Sequence, residues 1–180
     1  LAGIISLVIL SGNEVALWLN NVLVIFFSAA LGASFLTSTV VRFIILPGEV
    51  INGRNHDNFF NFQNQLMHNF AAIFVALELL LVQPKLHPEF AVFGLIFGLI
   101  YTIFAYIFAF YGGGYYAYSF IDPRLRLAPF LMSGLAVAIA IFYLGLWALS
   151  QLLNYNFLIG TIVLLVWVSI IVQFRSRLPK

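Results

Sequence analysis

Long apolar runs, broken by short clusters of Asn, Asp, Gly, Pro and charge, organise this chain. A membrane-spanning helix takes about 20 predominantly apolar residues. On that criterion the pattern predicts six helical segments: Leu1–Ser11, Ala16–Leu46, Leu66–Val82, Phe90–Tyr111, Leu127–Leu149 and Phe157–Phe174. The first is too short to span and reads as the tail of a longer helix that begins upstream of Leu1. The second is longer than a span needs, so it is expected to tilt, kink or run past the interface. The most polar connection is Pro47 to Gln65, and a second, aromatic one carries Gly112 to Arg126. No internal repeat or soluble domain interrupts the pattern. The fold class expected is all-α, a polytopic transmembrane helix bundle forming a single domain over residues 1–180, with about five complete spans plus a truncated N-terminal one.

Composition turns this pattern into a statement about solvent. The chain is 63% hydrophobic and only 8% charged, and its mean hydropathy is +1.07. A soluble domain is about 25% charged, so 180 residues of this composition could not hide their apolar surface from water. Disorder, nucleic-acid binding and ordinary cytosolic enzyme chemistry are excluded on these grounds. With no cysteine, thiolate chemistry and disulfides are excluded too.

The charges then orient the segments. If each crosses once, Lys85 is the one basic residue on its side. Arg54, Arg124, Arg126, Arg175, Arg177 and Lys180 fall on the other, with Arg42 at the nearby end of the second segment. The positive-inside rule then places the C-terminus and the two polar connections in the cytoplasm. Trp18, Tyr111, Tyr115, Tyr116, Tyr118 and Tyr155 fall near span ends, where amphipathic rings prefer to sit. Gly94 and Gly98, then Ala105 and Ala109, with Ala136 and Ala140 on the next segment, form stripes of small residues that let helices approach closely.

Ionisable groups within a span are costly, and each asks for a reason. The Leu66–Val82 segment has two, His68 at its cytoplasmic end and Glu78 ten residues on. Ten residues amount to about 15 Å along the axis and leave the two about 80° apart around it, so they share a broad face but cannot touch. Asn64 lies one turn before His68 on the same face, if the helix starts early. His68 reads either as an interfacial histidine bonded locally or as a general base, imidazole being the group that changes charge near neutral pH. Glu78 reads either as a buried carboxyl bonded to a neighbouring helix or as a group that orients a histidine or binds a polar substrate group. His56-Asp57 has the composition of a solvated loop. Asp122-Pro123 reads as a turn before the Arg124 and Arg126 anchor. Thr37 and Thr39 are expected to bond back to their own helix. His56, His68 and His87 do not cluster in the sequence, so no metal site is expected, and no cofactor motif occurs.

The run Asn64-Gln-Leu-Met-His68-Asn-Phe-Ala-Ala-Ile-Phe-Val-Ala-Leu-Glu78, the Pro-containing loop Gln83 to Pro88, and the aromatic turn Tyr118-Ser119-Phe120-Ile121-Asp122-Pro123 follow one another on successive segments. In order and spacing they resemble the androgen-induced / androgen-dependent TFPI-regulating family of multi-pass membrane proteins, in particular bacterial relatives whose turn ends in Asp-Pro. The resemblance covers about Trp18 to Leu149. Its animal members are described as threonine hydrolases that cleave fatty-acid esters of hydroxy fatty acids within the membrane. The resemblance implies that His68 is the catalytic histidine and that the Thr nucleophile lies a few residues upstream of Leu1. It implies a substrate contact for Asn64, Glu78, Tyr118 and Asp122, with Tyr118 or Asn64 as oxyanion donor. Ser119 stands where the family's turn has Pro, and the Phe157–Phe174 segment has no counterpart. The expected partners are membrane lipids and a lipid-like ester, in a bacterial inner membrane. The competing expectation is a non-enzymatic membrane protein, either a small-molecule carrier or a structural subunit.

Overall fold

The computed structural model of the protein describes residues 17–112, 122 and 125–175. Helix α1, Leu17–Val40, continues through a widened π turn at Val41–Ile45 into the short α2, Leu46–Ile51. Together they form a rod of 34 residues from Trp18 to Ile51, about 50 Å long at 1.5 Å per residue. That exceeds the hydrocarbon core of about 30 Å. Pro47 follows the π turn in the first turn of α2; within a continuous rod it offers no N–H to the carbonyls of the turn before it. Gly53, at φ 64, then turns the chain out of it.

The connection that polarity marked from Pro47 to Gln65 is therefore largely ordered. After α2 come a 3-10 turn at Asp57–Phe60 and α3, Phe62–Gln65, which Asn61 caps by accepting from the Asn64 N–H at 2.9 Å. A second π turn, Leu66–Phe70, joins α3 to α4, Ala71–Val82. Gln83, in the left-handed region at φ 46, ends that helix. Pro88–Phe90 leads into α5, Ala91–Tyr111, and Pro129 sits in the first turn of α6, Ala128–Tyr155. Asn156 caps α7, Phe157–Ile171, and residues 172–174 run on without helical structure.

Four of these rods are long and apolar enough to cross a membrane: Trp18–Ile51, Phe62–Val82, Pro88–Tyr111 and Ala128–Tyr155. At 15 residues, α7 reaches only about 22 Å, short of the span that its apolar run suggested. The Leu1–Ser11 segment lies outside the described residues.

The helices bury one face and leave large apolar side chains on the other, as a bundle solvated by lipid does. On α5, for example, Phe104, Ile107 and Phe110 are exposed while Gly94, Gly98 and Ala109 are buried. α6 is the central element and packs on α1, α5 and α7. The main core joins Leu31 and Phe35 of α1, Ala72, Ala76 and Leu79 of α4, Tyr143 and Leu146 of α6, and Leu164 of α7. Where α5 meets α6, a Cβ added at Gly98 would lie 2.7 Å from the Ala136 Cβ. One added at Gly94 would lie 2.8 Å from the Ile139 Cγ2. No larger residue fits at either position unless the helices move apart.

Candidate functional site

A cavity of about 350 Å³ lies between α1, α5, α6 and the π turn that carries His68. That volume is within the range of sites that hold small organic ligands. Its long wall is α1 and the π turn after it, from Ala33 to Ile45, about 18 Å at the helical rise. α5 contributes Phe97, Gly98, Tyr101 and Thr102, and α6 contributes residues between Met132 and Ile139. Because Gly98 and Ala136 have almost no side chain, α5 and α6 touch behind the cavity without filling it. Most of the lining is apolar. Met67, Phe97 and Tyr101 are lining residues that are also exposed, so the cavity is open on their side.

His68 is the ionisable group in this lining whose charge changes near neutral pH. It is only 7% exposed, and its Nδ1 is buried without a hydrogen-bond partner among the described residues. An imidazole nitrogen left unpaired in an apolar surround is expensive and is a reason to suspect a missing partner. The hydroxyls that share the cavity include two already engaged by their own helices. Thr37 donates to the Ala33 carbonyl at 2.7 Å and Thr102 to the Gly98 carbonyl at 2.8 Å.

The backbone around His68 is as unusual as its side chain. π turns are rare and cluster at functional sites. Here two of them flank one cavity, with Val41 and Ile45 from the first and Met67 and His68 from the second in its lining. The second turn is held from three directions. Ser38, 1% exposed on α1, donates its hydroxyl to the His68 carbonyl. Asn69, also buried, donates to the Gln173 carbonyl at 2.7 Å and to Gln65 Oε1 at 2.5 Å, and accepts from the Gln173 N–H at 3.4 Å. Gln65 reaches back to the Phe59 carbonyl at 2.8 Å. Beside this network Arg42 donates to the carbonyls of Ser169 at 3.1 Å and Val172 at 2.7 Å. Its charge thus rests on the negative end of α7. So α7 and the strand-like residues after it lock against the turn that carries His68.

The residues singled out from sequence do not all meet here. Asn64 is half-buried at the outer end of α3, where it donates to the Asn58 carbonyl at 2.7 Å, and it does not line the cavity. Glu78 is half-buried on α4, also away from the lining. The Asn64 amide is taken by the Asn58 carbonyl, and Glu78 lies about 15 Å along the axis from His68. Asp122 is half-buried, and its carbonyl accepts from the Leu125 N–H at 3.0 Å at the approach to α6. Tyr118 lies outside the described residues. No group of three or more His, Asp or Glu able to hold a metal occurs among the described residues. Ser38, Gln65, Asn69 and Gln173 gave no sequence signal beyond their polarity in apolar surroundings.

No protein-family model, no curated protein and no solved structure matches the chain. The class it defines rests on its own features: an all-α bundle, with four helices of membrane-spanning length among the described residues and an apolar cavity whose lining includes a buried histidine.

Proposed function

We propose that the protein is an integral membrane hydrolase of lipid esters, with His68 as its general base and its C-terminus in the cytoplasm of a bacterial inner membrane. The observation that carries this reading is His68, buried with its Nδ1 unpartnered among the described residues, in the lining of an apolar cavity that runs along α1 and the π turn after it from Ala33 to Ile45. Such a trough suits an acyl chain, with its polar carbonyl near the imidazole. The resemblance to the androgen-induced / androgen-dependent TFPI-regulating family supplies the chemistry. There the nucleophile is a Thr hydroxyl, which this reading places ahead of Leu1. The imidazole takes the hydroxyl proton, and the alkoxide oxygen bonds to the ester carbonyl carbon. As the tetrahedral intermediate collapses, its bond to the leaving alcohol breaks and the imidazolium returns the proton to that alcohol. Water, deprotonated by the same imidazole, then cleaves the acyl-threonine. Thr37 is not the nucleophile in this reading, because its proton is committed to the Ala33 carbonyl.

Those two back-bonded threonines, Thr37 and Thr102, favour one rival, a lipid-binding carrier or subunit without catalysis. Turnover decides between them. The full-length protein in phospholipid nanodiscs, given long-chain fatty-acid esters, should lose turnover by about 10²- to 10⁴-fold on His68→Ala, with its helical content and monodispersity kept. Undiminished turnover in a folded His68→Ala variant refutes the assignment of His68, and no turnover in the wild type favours the rival.

A further inference from the structure

We propose that Ser38 is the positioning residue of His68: its hydroxyl, held by α1, fixes the π turn so that the imidazole stays in the cavity wall. The argument starts from backbone pairing. In an α-helix each carbonyl accepts from the N–H four residues on, whereas a π turn moves that pairing to five. A carbonyl has two lone pairs, so one in such a turn can also accept from a side chain on another helix, which ties the turn to that helix. The Ser38 hydroxyl meets the His68 carbonyl across 30 residues of sequence.

The bond belongs to the site. Ser38 sits between Thr37 and Val41 on α1, and both of these line the cavity. Ser38 itself is buried at 1% exposure. A serine within a helix ordinarily bonds back to its own preceding turn, as Thr37 and Thr39 do on either side, to Ala33 and Phe35. Ser38 donates outward to another helix instead. Asn69, the next residue after His68, is pinned on the opposite side by Gln173 and Gln65. His68 is thus clamped through its own carbonyl by α1 and through its neighbour by the C-terminal segment, and its ring makes no bond through Nδ1. The protein fixes the backbone under the imidazole from two elements.

The effect of Ser38 on catalysis rests on the hydrolase reading, whereas its effect on the ring does not, and the test separates them. His56, His68 and His87 are the histidines of residues 1–180, so ring ¹⁵N spectra of the histidine-labelled full-length protein in nanodiscs contain a set of signals from each. The set lost in His68→Asn belongs to His68. Ser38→Ala should broaden or split that set while leaving those of His56 and His87 in place. It should lower kcat about 10- to 100-fold, the scale of a misplacement of about 1 Å, with KM changed less than about twofold. Ser38→Cys keeps the shape with a weaker donor, should fall between, and serves in place of the alanine variant if that does not assemble. A single, unshifted His68 set in the folded Ser38 variant overturns the proposal, whether or not the protein turns over esters. A responding ring with no turnover in the wild type leaves Ser38 its positioning role and removes the hydrolase reading alone.

Discussion

Where α5 meets α6, small residues let two backbones touch. Where α1 meets the turn that carries His68, buried polar groups are answered one by one. The first junction rests on shape: Gly94 and Gly98 lie against Ala136 and Ile139, where a Cβ would collide. In lipid such a contact gains nothing from excluding water, so its strength is close packing alone. The second junction rests on pairing. Ser38, Gln65, Asn69 and Arg42 each bond to backbone on another element, three of them to the chain after α7. Such groups are costly in an apolar interior unless every one is satisfied. A bundle that needed only to stay folded could have used the first kind of junction throughout. The second kind coincides with the cavity and with a buried imidazole nitrogen that has no hydrogen-bond partner among the described residues.

Substitutions can break each junction separately. The largest effect is expected for Gly98→Leu, since its Cβ would stand 2.7 Å from the Ala136 Cβ and 2.8 Å from its Cα. Overpacking of this kind costs about 3 kcal/mol, measurable by reversible unfolding in mixed micelles, and the leucine would also narrow the cavity. Asn69→Leu comes next. It keeps the branched shape but strands the Gln65 Oε1 and the Gln173 N–H and leaves the Gln173 carbonyl only the longer bond from Gln65 at 3.4 Å, for about 1–2 kcal/mol given the modest strength of hydrogen bonds between membrane helices. Its signature is specific: protection of residues 172–174 from hydrogen exchange should fall, while that of α5 stays. Arg42→Met should cost about 1 kcal/mol by removing the positive charge from the end of α7, and should loosen α7 first. Thr37→Val should be nearly silent, below about 0.5 kcal/mol, because it removes only a local bond within one helix. Turnover should survive it; loss of turnover would make Thr37 the nucleophile and overturn its exclusion.

The same contrast separates what was legible in the sequence from what was not. Hydropathy reports which segments lipid can solvate, and it found the four long rods. The glycine and alanine stripes announced the α5–α6 contact, and Thr37 and Thr39 bond back to their own helix as their residue type suggests. His68 stood out because a histidine within an apolar run is costly. Hydropathy is blind, however, to which amide pairs with which carbonyl. Neither π turn could be read, and neither could the bond that turns the Asn64 amide to the Asn58 carbonyl. The connection from Pro47 to Gln65 looked like loop because its residues are polar, yet local bonds such as Asn61 to Asn64 fold much of it. Ser38 and Gln173 acquire meaning only from partners 30 and 104 residues away.

Labelling of the full-length protein in nanodiscs with a serine/threonine-reactive fluorophosphonate, followed by peptide mapping, tests the central claim most directly. The account predicts that one threonine hydroxyl becomes labelled, and that His68→Ala abolishes the label while the helices remain intact. Labelling that is absent, or that proceeds equally well without His68, would contradict it.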